Sequence, residues 1–443
     1  MPGGLRTDLY ELNMAASYLR RGMDAEATFS LYVRDMPKER GFLVAAGLAD
    51  CLTFLETFSF DEEELDHLRR IGFDDRAVDD FRGVRFAGDV WAVPEGRIVH
   101  AKEPVLEVTA PIAVAQLVET VLLNQVTLHM TLASKAARYV IAAEGREMVD
   151  FSFRRTHGIE AARAAARTSA IVGFASTSNV EAAREFDLAV AGTMAHSFIS
   201  AFDDERDAFR AFAEDHPDKT TFLVDTYDTL EGVRHAIEVI EEMGLEGEVG
   251  VRLDSGNLDQ LARESRKLLD HAGLRRAEIF ASGGLDEYEI DELVRAGAPV
   301  DAFGVGTQLG VSADAPYVDT VYKLVEFGGR PVLKLSAAKA TAPGRKQVWR
   351  GPKEDVIGLR DEAAPGPNHE PLLEPVMRAG RRLAPAPTIP ELRERFRRDL
   401  AALPHKAARL ARPEHVVAHR SEALAALTAE TTEATLRRLR SSD

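Results

Sequence analysis

Strands and helices alternate at a regular spacing in the middle of the chain, and this rhythm restricts the fold more than any other feature. The apolar runs FLVDTYD (222–228), VGVRLDSG (249–256) and EIFASGGL (278–285) each precede an amphipathic helical pattern that ends at a glycine. Asp225 and Asp254, in the first two runs, lie 29 residues apart. Because parallel strands need a long crossover connection, usually a helix, the spacing predicts right-handed βαβ units around a parallel sheet.

Each predicted strand is followed by polar or glycine residues, and earlier segments show the same pattern. The segments are VDFSF, IVGFA, LAVAG, FLVD, VGVRL, EIFA and DAFGV. In an α/β barrel such residues collect at the rim formed by the carboxyl ends of the strands. Seven segments favour a barrel, whereas the spacing alone leaves an open parallel sheet as the alternative.

The charge balance argues against nucleic-acid and membrane partners. The 443 residues include 72 acidic and 55 basic side chains, a formal net charge of −17, which repels phosphate backbones and anionic lipids. The sequence shows no signal pattern and no run of about 18 apolar residues. Its single cysteine, Cys51, has no disulfide partner within the chain. We therefore expect a cytoplasmic enzyme that binds neither nucleic acid nor membrane.

The C-terminal segment 376–443 differs in charge from the rest of the chain. It carries 14 basic and 8 acidic side chains, a net charge of +6. We interpret it as an amphipathic extension that packs on the acidic body or on a neighbouring subunit. An RNA-binding arm is the weaker alternative because aromatic residues that stack on bases are nearly absent from it.

Two glycine-containing strand ends are candidate phosphate contacts. Residues without side chains let backbone N–H groups approach an anion closely, and adjacent hydroxyl groups add donors. Phosphate sites recur after the late strands of α/β barrels, although tight turns use the same residues. The candidates are Ser282, Gly283, Gly284, Gly304, Gly306 and Thr307.

The motif VRLDSG places two opposite charges on one face of a strand. Arg252 and Asp254 are two residues apart, so their side chains point the same way. A purely structural ion pair is one interpretation. The functional interpretation is that Arg252 holds an anion and Asp254 binds sugar hydroxyls or a metal–phosphate group, with Asp225 as a second carboxylate.

Two further segments carry candidate site residues. His196 follows an apolar segment and lies between the hydroxyl groups of Thr193 and Ser197. A histidine in such a position is either a hydrogen-bonded structural residue or a nucleophile. In FSFRRTHG, Arg154 and Arg155 are candidates to hold a carboxylate or phosphate, the alternative being surface ion pairs.

Several motifs that would indicate other chemistry are missing from the sequence. There is no G-x-x-x-x-G-K-[ST] loop for ATP phosphates, and there is no HExxH, paired CxxC or EF-hand pattern. We therefore predict no metal site built from protein ligands alone.

Taken together, the segments resemble the nicotinate phosphoribosyltransferase family. The matching motifs run in order from position 7 to position 331, and they are TDLYELNMAASYL, FSLYVRDMP, AAGLADCLTFLE, DFSFRRTHG, GFASTSNV, GTMAHS, VDTYDT, VRLDSG, SGGLDE, AFGVGT and YKLVEFGGRP.

The resemblance implies a fold and an activity. The expected fold is α/β, with an irregular TIM-like barrel at 121–320, as in type II phosphoribosyltransferases. A smaller N-terminal α/β domain at 1–120, completed by about 320–375, and a helical extension at 376–443 would accompany it. The implied enzyme is a homodimer with a shared active site. It joins nicotinate to phosphoribosyl pyrophosphate, with magnesium bound to the phosphates and with ATP hydrolysis.

The resemblance also implies the contacts to the pyridine ring. Tyr10, from the partner subunit, is expected over one face of the ring, with Phe151 on the other face and Arg154 nearby. Thr193 and Arg252 match positions that contact nicotinate in the family.

Further positions match the family's catalytic and phosphate-binding residues. His196 matches the histidine that ATP phosphorylates, and Thr307 matches a contact to the 5′-phosphate. Asp225 and Asp254 are expected to favour the positive charge that develops on the ribose during transfer.

Ser178 is the predicted determinant of substrate choice. The related nicotinamide-using enzymes carry an Asp at the position that matches Ser178, and an Asp accepts hydrogen bonds from an amide but repels a carboxylate. The chain departs from the family at Glu11, where Gln is frequent, and at Phe153, where a small residue is common. Phe153 is expected to narrow the pocket beside Arg154.

Two alternative functions remain from the sequence. A nicotinamide phosphoribosyltransferase would share nearly every motif. A sugar-phosphate isomerase or aldolase on a barrel would also use glycines and carboxylates, but it would normally need a base or a Schiff-base lysine at a strand end. None of the seven predicted strand ends carries a lysine.

Overall fold

The chain folds into two compact units in a computed structural model that describes residues 3–336, 341–352 and 354–440. The discontinuous unit comprises Met1–Thr131 and Tyr317–Asp443, and the central unit comprises Leu132–Pro316. Compactness does not by itself show which segments fold on their own. The predicted domain boundaries near 120, 320 and 376 therefore stay a prediction.

The helices and strands follow one another in three groups. The first group is α1 (Leu9–Arg20), β1 (Glu26–Val33), β2 (Leu43–Val44), α2 (Leu48–Thr57), α3 (Glu62–Arg70), α4 (Asp75–Arg82), β3 (Asp89–Ala92), β4 (Ile98–Val99), β5 (Pro104–Pro111), α5 (Ile112–Leu117) and α6 (Glu119–Ala143). The second group is β6 (Glu147–Asp150), a 3₁₀ helix (Phe153–Arg155), α7 (Ile159–Val172), β7 (Ser176–Thr177), α8 (Val180–Phe186), α9 (His196–Ile199), α10 (Glu205–Asp215), β8 (Lys219–Leu223), α11 (Thr229–Met243), β9 (Glu248–Leu253), α12 (Leu258–His271), β10 (Glu278–Ala281), α13 (Glu287–Arg295), β11 (Ala302–Val305) and α14 (Thr307–Gly310). The third group is β12 (Thr320–Phe327), β13 (Arg330–Pro331), β14 (Lys346–Arg350), β15 (Asp355–Leu359), β16 (Glu370–Pro371), β17 (Glu374–Arg378), β18 (Arg381–Arg382), α15 (Ile389–Ala402), β19 (His419–Arg420) and α16 (Glu422–Arg440).

The discontinuous unit is built around a seven-stranded sheet in the order β13-β12-β1-β5-β3-β17-β18. Strand β1 pairs antiparallel with both β5 and β12, so segments from the two ends of the chain share one sheet. The rings of Phe29 and Tyr322 stack within it, with centroids 4.7 Å apart. Nearly every residue of β1 is buried, which explains why its sequence lacks the alternation of a half-exposed strand.

The central unit contains a sheet of six parallel strands in the order β7-β6-β11-β10-β9-β8. Within this unit the first strand in chain order, β6, lies beside the last, β11, as it would in a barrel. Among the described strands of this unit, β7 and β8 have no pairing with each other. The sheet is therefore a parallel half-barrel, which confirms the predicted mixed α/β fold. Closure into a TIM-like barrel is not confirmed.

The helices that follow the strands begin where their capping residues dictate. Asp228, Asn257 and Asp286 accept hydrogen bonds from the backbone N–H groups of Glu231, Gln260 and Glu289 at 2.9–3.2 Å. An Asp or Asn at this position satisfies an N–H that has no partner within the helix. These caps keep the connections after β8, β9 and β10 short, and the polar residues after each strand consequently stay close to the edge of the sheet.

The predicted strand LAVAG is reduced to a single bridge. Val190 bridges Thr177 in the parallel sense. The N–H of Thr177 donates to the oxygen of Ala189 at 3.0 Å, and the N–H of Ala191 donates to the oxygen of Thr177 at 3.1 Å. After this bridge the chain leaves the sheet as an irregular segment that leads to α9 at His196.

Across the described residues, no helix is both long enough and apolar enough to span a membrane.

Candidate active site

A cavity of about 530 Å³ lies at the carboxyl ends of the parallel strands of the central unit. Parallel strands present the residues that follow them at one edge of the sheet, where ligands of α/β proteins bind. Its wall is formed by Phe151, Phe153, Arg154, Ser178, Gly192, Thr193, Met194, Ala195, His196, Leu223, Arg252 and Asp254. Seven of these were predicted from the sequence as site residues: Phe151, Arg154, Ser178, Thr193, His196, Arg252 and Asp254.

The guanidinium group of Arg252 is held from three sides. Its Nε donates to Ser282 Oγ at 2.8 Å, Nη1 donates to Thr193 Oγ1 at 3.2 Å, and Nη2 donates to Asp254 Oδ1 at 2.7 Å. Its Cζ lies 5.3 Å from the centroid of the Phe151 ring, within the range of a cation–π contact. The side chain is 14% exposed, so this cation is fixed and partly withdrawn from water.

The two predicted carboxylates are joined through the backbone. Asp225 Oδ2 accepts from the N–H of Asp254 at 3.1 Å and from Ser255 Oγ at 2.6 Å. Asp225 Oδ1 is buried and has no hydrogen-bond partner among the described residues. Asp254 Oδ1 also accepts from Ser282 Oγ. Arg252 therefore balances the charge of Asp254, whereas the buried Oδ1 of Asp225 is left without a hydrogen bond from the described residues.

His196 lies beside these acids and is accessible. Its Nδ1 lies 3.1 Å from Thr226 Oγ1, and its Nε2 lies 4.0 Å from Asp225 Oδ1. The side chain is 47% exposed, in contrast to the 1% of Asp225. An imidazole that is oriented by neighbours and open to solvent is able to meet an incoming phosphate group.

Gly283 and Gly304 are required by packing. Gly283 has φ +105°, and a Cβ there would lie 1.9 Å from the carbonyl oxygen of Asp254. A Cβ at Gly304 would lie 2.7 Å from the rings of Phe151 and Phe280. Only glycine lets these chain segments pass so close to the residues that line the cavity.

The described residues of the cavity wall include none of the six predicted phosphate contacts. Ser282 is buried between Arg252 and Asp254. Gly284 has φ +82°, with no atom within 4 Å of a Cβ built there. Gly306 precedes the four-residue helix α14, and Thr307 is its exposed first residue. That these six residues bind phosphate stays a prediction.

Asp150, which the sequence analysis overlooked, organises one side of the cavity. Its carboxylate accepts from the N–H of Ser152 at 2.8 Å and from Thr177 Oγ1 at 2.7 Å. Its backbone oxygen accepts from the N–H of Ser178 at 2.8 Å. Burial raises its pKa, while the hydrogen bonds from Ser152 and Thr177 oppose that rise. The sequence signal that could have identified it is a carboxylate inside the predicted strand segment VDFSF, and this carboxylate is the last residue of the observed β6. Thr226 and Ser255, next to Asp225 and Asp254, were also missed.

The two arginines of FSFRR lie on the 3₁₀ helix, where both are exposed. Arg154 contributes to the cavity wall and Arg155 does not. Phe153, the unusual residue at this position, lines the cavity as well.

Tyr10 belongs to helix α1 of the discontinuous unit and is 49% exposed. Partial burial and the nearby carboxylates of Glu119 and Glu11 raise its pKa. Glu11 is fully buried and accepts from Thr120 Oγ1 at 2.7 Å. The predicted contact of Tyr10 with a pyridine ring stays a prediction.

In the part of the chain that the structure describes, no three His, Cys, Asp or Glu side chains are placed to hold a metal ion together.

Comparisons with known proteins agree with these motifs. The model of the nicotinate phosphoribosyltransferase (NAPRTase) N-terminal domain matches residues 5–127. The family model matches 146–356, and the C-terminal domain model matches 361–428. A nicotinate phosphoribosyltransferase of Mycobacterium tuberculosis is 50% identical over 410 residues, which cover 91% of this chain and 88% of that protein. One from Bacillus subtilis is 40% identical over 375 residues, covering 81% and 76%.

A solved structure extends the likeness to the fold. The crystal structure of human nicotinic acid phosphoribosyltransferase superimposes with a TM-score of 0.86 at 29% identity, covering 96% of this chain and 99% of that one. The family resemblance seen in the sequence is thereby confirmed. The chain belongs to the nicotinate phosphoribosyltransferase family.

Proposed function

We propose that this protein joins nicotinate to phosphoribosyl pyrophosphate, giving nicotinate mononucleotide and pyrophosphate, with ATP hydrolysis through a phosphohistidine. Family membership supports the class of reaction. The observation that carries the assignment to this cavity is the state of Arg252. Three of its five N–H groups are used by the described residues Ser282, Thr193 and Asp254, and two are left.

The two remaining N–H groups, one on each terminal nitrogen of the planar guanidinium group, suit a carboxylate. The guanidinium fork donates two parallel hydrogen bonds to such a group, and this geometry selects it over a neutral amide. The adjacent ring of Phe151 offers an apolar face for a pyridine ring. Arg252 and Phe151 together fit nicotinate, which is an aromatic acid.

In the transfer itself one bond forms and one bond breaks. The pyridine nitrogen attacks C1′ of the ribose while the bond from C1′ to the pyrophosphate oxygen breaks, and the electron pair leaves with pyrophosphate. Positive charge builds up on the ribose in between. Carboxylates near that carbon, for which we assign Asp225 and Asp254, favour this charge, and positioning of the two substrates supplies much of the remaining acceleration.

Magnesium is expected to enter with the phosphates of the substrates. It prefers oxygen ligands and usually uses one or two protein carboxylates, so the buried and unpartnered Oδ1 of Asp225 fits such a role. Asp225 and Asp254 would hold it, and it would neutralise charge on the departing pyrophosphate.

His196 is assigned as the residue that ATP phosphorylates. An unprotonated ring nitrogen attacks the γ-phosphorus, the bond to the β-phosphate oxygen breaks, and ADP leaves. Water later cleaves the phosphohistidine to release inorganic phosphate. The support is positional, because the imidazole is accessible and lies beside Asp225. The added negative charge would reorder the phosphate-binding loops and tighten substrate binding.

A homodimer with a shared site is part of the proposal. Tyr10 would reach the pyridine ring from the partner subunit. Its half-exposed side chain on α1 is compatible with a contact made outside its own subunit.

Two alternatives are less well supported. Ser178 on the cavity wall lacks the negative charge that would favour nicotinamide over nicotinate. The described residues of that wall include no lysine, and a Schiff-base aldolase would need one.

The test is an assay with labelled nicotinate, phosphoribosyl pyrophosphate and magnesium, with and without ATP. We expect nicotinate mononucleotide from the wild type and faster formation with ATP. His196→Ala should lose the stimulation by ATP and keep slow basal transfer. Absence of the mononucleotide under all conditions would refute the function, and retained stimulation in His196→Ala would refute the role of His196.

A further inference from the structure

Two cations of helix α6 lie buried against carboxylates that follow the two predicted phosphate loops. The first loop is residues 282–285, and the second is residues 304–307. Lys135 Nζ lies 2.5 Å from Glu287 Oε2 and 3.1 Å from Asp314 Oδ1. Arg138 Nε lies 2.7 Å from Glu287 Oε1 and 3.6 Å from Asp314 Oδ2. All four side chains are at most 5% exposed. We call them the buried quartet, and all four belong to the central unit.

The first loop runs directly into this quartet. Residues 282–285 end at the helix cap Asp286, and Glu287 is the first residue of α13. The hydroxyl of Tyr139, also on α6, donates to the backbone oxygen of Leu285 at 3.0 Å. Arg138 Nη2 additionally donates to the hydroxyl of Tyr288 at 2.8 Å. The downstream end of the loop is thus fixed to α6 by three side chains of that helix, Lys135, Arg138 and Tyr139.

The second loop reaches the quartet through Asp314. Gly306 leads into α14, and Asp314 follows seven residues after Thr307. Between them Ser312 has φ +47° and is buried, and its Oγ donates to the backbone oxygen of Ala315 at 2.9 Å. This compact turn brings the carboxylate of Asp314 to the same ammonium group that Glu287 contacts.

A shared buried cation has a directional effect that apolar packing lacks. Two carboxylates without a cation between them would repel each other in a medium of low polarity. The ammonium group of Lys135 therefore sets the spacing between the start of α13, where Glu287 lies, and the turn after α14, where Asp314 lies. Since α13 follows the first predicted phosphate loop and α14 begins at the end of the second, the quartet sets the spacing of those loops as well.

We propose that Lys135 is a positioning residue that holds the two phosphate-binding loops at the separation required by phosphoribosyl pyrophosphate. This rests on the proposed function, because that substrate carries a 5′-phosphate and a pyrophosphate that must be held at once. Lys135 does not touch the substrate. It acts through Glu287 and Asp314, and its loss should impair phosphate binding more than nicotinate binding.

Lys135→Met tests this, with Lys346→Met as the matched control. Lys346 is 4% exposed, lies 3.1 Å from the buried Glu107, and shares that acid with Arg360, just as Lys135 shares Glu287 with Arg138. It belongs to the discontinuous unit, as do the partners of its ammonium group among the described residues, which are Glu107 and the backbone oxygens of Ala342 and Gly344. Each variant is assayed by calorimetry for the Kd of phosphoribosyl pyrophosphate with magnesium, and by kinetics for the KM of nicotinate and for kcat.

Lys135→Met should weaken phosphoribosyl pyrophosphate binding roughly 10- to 100-fold, as expected for loops displaced by about 1 Å, while the KM of nicotinate changes less than about threefold. Lys346→Met should leave that Kd near the wild-type value. An unchanged Kd in Lys135→Met, or an equal loss in both variants, overturns the inference.

Asp314→Asn is the second variant, and it is decisive if Lys135→Met does not fold. It releases only the second loop and should also raise the Kd, whereas a wild-type Kd would overturn the inference. A wild-type protein that binds no phosphoribosyl pyrophosphate would instead overturn the proposed function, and this inference with it.

Discussion

Arg252 derives its position from residues that lie far apart in the chain. Thr193, Asp254 and Ser282 each accept one of its N–H groups, and they come from the segment before α9, from the end of β9 and from the loop after β10. A side chain held at three points loses little further freedom when a ligand binds. The cost of ordering this cation is met during folding, which favours tight recognition of an anion.

Ser178→Asp should invert or sharply reduce the preference for nicotinate over nicotinamide. A carboxylate at this position on the cavity wall would repel the acid and accept hydrogen bonds from the amide, a conflict of about 2–5 kcal/mol. The measurement is the ratio of kcat/KM for the two substrates. Ser178→Ala, which removes the hydroxyl without adding charge, is the control and should change the ratio little. An unaltered ratio in Ser178→Asp would show that substrate choice depends on other residues.

At the scale of single elements, the sequence predicted the helices of the central unit well. The patterns at 229–244 and 258–273 became α11 (Thr229–Met243) and α12 (Leu258–His271). Gly244 takes the left-handed conformation with φ +61°, as a glycine after a helix commonly does. Caps, apolar stripes and terminal glycines are local signals, and a local signal is fully present in the sequence.

Elements that depend on distant partners were harder to predict from the sequence. The run LAVAG has the composition of a strand, yet it makes one bridge. A strand requires a neighbour along its length, and among the described residues only Thr177 pairs with this run. The buried quartet joins Lys135 to Glu287, 152 residues away, and nothing in either segment alone indicates the pairing. Residue types at strand ends, together with the family resemblance, therefore predicted seven of the twelve described residues of the cavity wall, while the supporting contacts behind it required the structure.

At the scale of the whole molecule, a buried polar cluster in the discontinuous unit couples stability to pH. His100 is 3% exposed, and burial together with the charge of Arg350 lowers its pKa to about 4. Asp355 and Asp399, which face the same cluster, oppose that lowering. The backbone N–H of His100 donates to Glu103 Oε2 at 2.7 Å, and burial raises the pKa of Glu103.

The sign of the His100 effect follows from its two protonation states. Between pH 4 and 6.5 the unfolded chain binds a proton on this imidazole that the native protein does not. The contribution of the neutral His100 to the free energy of unfolding is therefore complete above pH 6.5 and is lost as the pH falls towards 4. This shift of the His100 pKa corresponds to about 3 kcal/mol in the free energy of unfolding. Glu103 works in the opposite direction, so the comparison of wild type with His100→Gln isolates the histidine.

The measurement is the midpoint of thermal unfolding of wild type and His100→Gln across this pH range. The wild-type midpoint should fall relative to the variant as the pH is lowered. His67→Gln, at an exposed position, is the control and should show no such trend. A constant difference between wild type and His100→Gln would contradict the prediction.

The central claim is that the cavity at the carboxyl ends of the parallel strands holds nicotinate through Arg252. The most direct test is kcat/KM for nicotinate at saturating phosphoribosyl pyrophosphate in Arg252→Gln. Arg266→Gln serves as the control, because Arg266 lies in the same unit and is bound to Asp270 and to the backbone oxygens of Leu274 and Ala277. Loss of two charge-assisted hydrogen bonds predicts a decrease of about 100-fold, equivalent to about 3 kcal/mol, in Arg252→Gln alone. Equal kcat/KM values in wild type and Arg252→Gln would contradict the account.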